Sequence, residues 1–215
     1  MNHSTFKMKN FLSIATLLLI FSCSQQKSEE KNKSEEKLPL QESEKGKDVQ
    51  SAITTTNTRE IVTQSGKTII VEETHPKGMS VSDIAVYFKG DSSNALKVFE
   101  KDPVSKVIKA DLDGNGFDEV YVVTTAAGSG SYGNIHGFAS NKDKSFSMIY
   151  LPEVSKTDLE KGGQFEGYEG HDLFEINGKQ LIRSYPSGKQ TRTIIYQLQP
   201  SETGYTLKPV SSKTE

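Results

Sequence analysis

Cysteine is nearly missing from this chain: Cys23 is the only one in 215 residues. A disulfide within one molecule is therefore excluded. Apolar residues are also scarce, at 33%, which is little for a fully packed globule of this length. No apolar run approaches the roughly 20 residues that a helix needs to cross a bilayer. The longest, FLSIATLLLIF, lies within residues 11–21. A basic excess is lacking as well. Residues 1–22 hold two lysines and no acid, and the remainder carries 24 basic and 28 acidic residues. A mildly acidic chain without a basic stripe does not fit a nucleic-acid binder.

What is present at the N-terminus has an order of its own. Lys7 and Lys9 precede the apolar run, and Ile20-Phe21-Ser22-Cys23 closes it. This is the layout of a secretory signal over residues 1–22. Its end resembles a bacterial lipobox, which implies cleavage before Cys23 and lipidation of that residue. Several acyl chains on one cysteine hold a protein to a membrane far better than a single chain does. The expected location is the bacterial envelope, on the outer membrane, facing the periplasm or the cell surface. Residues 23–57 are almost wholly Ser, Gln, Glu, Lys and Thr and repeat KSEEK at 27–31 and 33–37. Such a segment buries too little apolar surface to offset the entropy of ordering it, so it reads as a disordered linker.

From residue 58 to 215 the apolar residues come in short runs. REIVTQ, KTIIVEE, DIAVYF, KVIKADL, EVYVVTT, HGFAS, FSMIYL, DLFEI, QLIRSY, RTIIYQL and GYTLKPV follow one another. They are rich in β-branched and aromatic residues and bounded by Gly, Asn, Asp or Pro, which is strand punctuation. Ser65-Gly66 and Asn177-Gly178 signal hairpins, the second of the kind favoured in type I′ turns. Only 92–100 and 153–161 suit short helices. The reading is a single all-β domain, an antiparallel β-sandwich or barrel-like fold.

Three patterns carry possible chemistry. Gly128-Ser129-Gly130-Ser131-Tyr132-Gly133 is a literal G-x-G-x-x-G. A dinucleotide fingerprint must open a helix inside a βαβ unit, yet NIHGFAS follows. A serine nucleophile at Ser129 or Ser131 lacks glycines at both flanking positions of the elbow motif. His171 and Asp172 complete a triad only on paper. Asp111, Asp113, Asn115 and Glu119, with Gly116 at the sixth position, match the start of a calcium loop. Position 12 is Val122 and strands rather than helices flank it, so this is not an EF-hand. The loop admits a structural calcium or a plain Asx-rich turn.

Taken in order, ADLDGNGFDEVYVV, AGSGSYGNIHGF, GYEGHDLFEINGKQLIRSYP and RTIIYQL resemble the periplasmic inhibitors of invertebrate-type (i-type) lysozyme. The resemblance covers about residues 105–200, and the tract after Pro186 is shorter than in that family. It implies a non-enzymatic protein that needs no cofactor and has lysozyme as partner. An S-G-x-Y loop, here Ser129, Gly130, Ser131 and Tyr132, would enter the enzyme's cleft. Ile135, His136 and Tyr168 are candidates for the surrounding contacts, and a homodimer remains open. The alternative on the residues alone is a calcium-stabilised β module that binds polysaccharide or another envelope protein.

Overall fold

The structure, a computed structural model, describes residues 54–76 and 78–215. The signal segment, Cys23 and nearly all of the linker lie outside the described residues. Among the described residues, twelve strands build the fold. Four form a small antiparallel sheet in chain order: β1 (Thr55–Val62), β2 (Thr68–His75), β3 (Ser82–Phe88) and β4 (Leu96–Lys101). Eight form a larger sheet. Its strands are β5 (Val104–Ala110), β6 (Glu119–Thr125), β7 (Gly133–Ser140), β8 (Phe146–Tyr150), β9 (Leu173–Asn177), β10 (Gln180–Ser187), β11 (Gln190–Ser201) and β12 (Gly204–Thr214). The order across that sheet is β5-β6-β7-β8-β12-β11-β10-β9.

The all-β reading holds, with corrections of detail. Thr55, Thr56 and Asn57, expected in the linker, pair with β2 opposite His75, Thr74 and Glu73. The helix expected over 92–100 is one 3₁₀ turn, Ser92–Asn94, followed by β4. Leu96 and Val98 lie two residues apart and pack together on the core, which is strand spacing. The segment 153–161 keeps one helical turn, α1 (Lys156–Leu159), closed by a capping box between Ser155 and Asp158. In the Asn177-Gly178 hairpin only Gly178 takes a positive φ, 58°, the pattern of a type II′ rather than a type I′ turn. One junction is parallel, where Tyr205 and Thr206 of β12 meet Ile149 and Tyr150 of β8. The other pairings are antiparallel.

The large sheet curls until its edge strands touch, and Lys106 Nζ on β5 donates to the Phe174 carbonyl on β9 at 3.3 Å. Its concave face encloses one core, with Tyr121, Ile135, Phe174, Leu181, Ile194 and Leu207 at its centre. The small sheet covers the convex face of β5–β8 and forms a second core from Ile69, Val71 and Ile84 against Val120, Val122 and Phe138. Strand β6 belongs to both cores, so EVYVVT is buried at every position. A strand covered on both faces has no polar side to show, which explains its unbroken apolar run.

A buried carboxylate ties the layers together. Glu73 on β2 is 1% exposed. It accepts hydrogen bonds from Arg59 Nη1 at 3.0 Å, from the Val104 amide at 2.6 Å and from Ser82 Oγ at 3.3 Å. The Val104 bond reaches from the small sheet to the first residue of β5.

Candidate functional site

The loop between β6 and β7 spans residues 126–132. Its base is closed by the Ala126 amide donating to the Tyr132 carbonyl at 2.9 Å, and its tip by the Ser131 amide donating to the Gly128 carbonyl at 2.9 Å. Ser131 takes a positive φ of 42°. Ser129 is exposed, and Tyr132 keeps half of its surface open.

The loop is braced from beneath by the connection before β9. The His171 amide donates to the Gly130 carbonyl at 2.8 Å. This contact requires glycine at position 170. Its φ is +89°, and a Cβ there would lie 2.1 Å from the Gly130 oxygen. Next to it, Asp172 has a fully buried side chain. Its Oδ2 accepts from the Gly133 amide at 2.7 Å and from the Tyr168 hydroxyl at 2.6 Å, while Oδ1 accepts from Arg183 Nε at 2.6 Å. Arg183 Nη2 also donates to the Tyr168 hydroxyl at 2.8 Å.

Arg183 itself lies inside the curled sheet, on its concave side. Its guanidinium sits 4.9, 5.0 and 5.5 Å from the ring centres of Phe165, Tyr168 and Phe174. Aromatic faces attract a desolvated cation, and the Asp172 carboxylate neutralises it. The network stiffens the loop, because the Gly133 amide that starts β7 hangs on Asp172. The Tyr132 ring meets the Tyr168 ring edge-on at 5.6 Å, so the exposed anchor rests on the buried network. Burial, and then the Asp172 hydrogen bond, push the Tyr168 phenol above its ordinary pKa.

Ser129, Gly130, Ser131 and Tyr132 thus share one projecting turn. The three surrounding residues divide differently. Ile135 is 3% exposed and belongs to the inner core, since it points to the concave face of β7; this corrects its assignment to the contact surface. Tyr168 is partly buried with its hydroxyl turned inward onto Asp172, so it supports the loop rather than offering that hydroxyl outward. His136 faces the convex side, 3.4 Å from Thr124 Oγ1. Burial, then the charge of Lys101, lower its pKa to about 4. Beside the loop runs a groove of about 650 Å³ whose lining includes Tyr132, Asn134, His136, Met148, Tyr150 and Tyr205.

Asp172 makes no hydrogen bond to His171. Its oxygens are taken by Gly133, Tyr168 and Arg183, so the triad drawn from Ser129 or Ser131 with His171 and Asp172 is not assembled. Arg183 was not among the residues that sequence reasoning singled out. The signal was there in QLIRSYP, where a lone charge shares the strand face of Leu181 and Tyr185.

A second cluster occupies the β5–β6 connection. Asp111, Asp113 and Glu119 bring carboxylate oxygens within 4.8 Å of one another. Asn115 stands against them with its side chain engaged: its Oδ1 accepts from the Phe117 amide at 2.7 Å, and its Nδ2 donates to Asp113 at 2.8 Å. Burial works against the Asp111 charge, but hydrogen bonds from Gln64 and from loop amides hold its pKa below the ordinary value. Glu119 is 1% exposed. Burial raises its pKa to about 8, against the opposing effect of the Leu112 amide, which donates to its Oε2 at 2.7 Å.

No protein-family model matches the chain, and neither the curated proteins nor the solved structures yield a match.

Proposed function

We propose that this is a protein-binding β domain that presents a preorganised finger, residues 126–132, to the concave site of a partner. Within that class, we infer a lysozyme inhibitor with i-type lysozyme as the favoured target. It would be held at the bacterial envelope by a lipid on Cys23, where it protects peptidoglycan. The observation that carries the reading is the bracing of the finger. The finger exposes Ser129 and Tyr132, while it is fastened at Gly130 to His171 and, just past its base, at Gly133 to Asp172. Ordering a slack loop on binding costs free energy, and a loop already held in shape avoids most of that cost.

The chemistry of the tip suits the target. Glycosidases of this kind work with two carboxylates facing the scissile bond. The Ser129 and Tyr132 hydroxyls can donate to those carboxylates, and the tyrosine ring supplies a rigid amphipathic anchor. An acidic domain would also speed its encounter with a cationic enzyme.

The test titrates the full-length chain against i-type, c-type and g-type lysozymes and follows lysis of a peptidoglycan suspension. Inhibition of the i-type enzyme is expected. Ser129→Ala with Tyr132→Ala should abolish it, because truncating one central anchor typically costs about 2 kcal/mol or more. A double variant that still inhibits at full strength would remove the finger from the mechanism. Failure against all three classes would favour an envelope binding module with a different target.

A further inference from the structure

The carboxylates between β5 and β6 have no part in the finger. Asp111 and Asp113 stand on the loop, and Glu119 opens β6 with its side chain buried. Three carboxylates this close repel one another strongly when all are ionised. Among the described residues, none of the three forms an ion pair with a Lys, Arg or His. The Lys179 ammonium lies over Gly114 without reaching them.

A separate observation comes from the core side. Tyr121 is 0% exposed, and its hydroxyl has no hydrogen-bond partner. It stands two residues after Glu119 on the same face of β6 and interacts with the Glu119 side chain without meeting the geometry of a hydrogen bond. An unpartnered oxygen is thus aimed at the cluster from beneath. Leaving a buried hydroxyl without a full hydrogen bond costs about 1–3 kcal/mol, and this one faces the carboxylates.

We propose that this cluster is a binding site for one divalent cation of the calcium type. Asp111, Asp113 and Glu119 are its carboxylate ligands, and Tyr121 faces the cation's outer coordination sphere. The donors are hard oxygens with no His or Cys among them, which disfavours zinc and copper. Calcium accepts irregular oxygen cages, whereas magnesium demands near-octahedral geometry. Gly114 and Gly116, at φ 74° and 87°, allow the loop to curl back so that residues 111 and 113 approach residue 119. The cation would pin the loop to β6, the strand that both cores share, and so act on the stability of the whole domain.

Terbium luminescence tests this without reference to the finger. The chain has no tryptophan, so a bound Tb³⁺ is sensitised by tyrosine, and Tyr121 stands beside the cluster. Full-length protein stripped with a chelator should give sensitised emission with Tb³⁺ that Ca²⁺ displaces. Tyr121→Phe should lose most of the emission yet bind Ca²⁺ in calorimetry. Asp113→Asn, on a partly exposed loop, should weaken Ca²⁺ at least about tenfold, with circular dichroism confirming that the variant folds. Ca²⁺ should also raise the melting temperature of the wild type more than that of Asp113→Asn. The proposal is overturned if the folded wild type binds no Ca²⁺ in the millimolar range. It is equally overturned if binding and emission survive Asp113→Asn unchanged, which would put the ion elsewhere.

Discussion

At the scale of single residues, His136 illustrates how burial sets chemistry. Its imidazole is packed on the convex side of β7 near Lys101, and its pKa falls to about 4. The unfolded chain would take up that proton near pH 6.5. Stability should therefore be undiminished above about pH 6.5 and decline as the pH falls from there towards 4. The loss from this residue is at most about 3 kcal/mol, and less because the ring retains solvent contact. Urea unfolding at several pH values should find that His136→Gln flattens this decline. Equal losses in wild type and variant would assign the acid sensitivity to other groups. Sequence alone presented His136 as a contact candidate, because the depth of a side chain on a strand depends on what covers that strand.

At the scale of elements, the finger depends on a pairing between segments nearly 40 residues apart. Asp172 lies before β9, Arg183 lies on β10, and the amide they support opens β7. Arg183→Met would leave the Asp172 carboxylate buried and uncompensated, a change that typically costs about 3–5 kcal/mol. Adding Asp172→Asn should recover part of that loss, since the two residues act as a unit. A double-mutant cycle in denaturant measures the coupling, and additive costs would contradict the shared network. The S-G-S-Y string was legible in the sequence together with GYEGHD. That the two touch was not, because the His171 amide on the Gly130 carbonyl and the Tyr132 ring on the Tyr168 ring join segments whose relative placement only the sheet determines.

For the whole molecule, the question is what joins two cores. Strand β6 contributes side chains to both, and Glu73 fastens the small sheet to the start of β5 through the Val104 amide. Glu73→Ala would strand that buried amide, while Arg59 keeps solvent and its bond to the Val104 carbonyl, at an expected cost of about 1–3 kcal/mol. Hydrogen exchange should then accelerate in β2, β3 and β5 together, and a loss confined to β1 would argue against the clamp. The sequence by itself determined the all-β character, most strand positions, and the turn that carries Ser129 and Tyr132. Alternation of apolar residues and glycine punctuation are local properties, and they sort side chains by face without distant partners. Only the tertiary structure decided that β8 and β12 meet in parallel, that the large sheet curls until its edge strands touch, and that Arg183 and Asp172 neutralise each other within it. Those outcomes rest on contacts between residues remote along the chain, where burial makes a lone charge costly and its pairing obligatory.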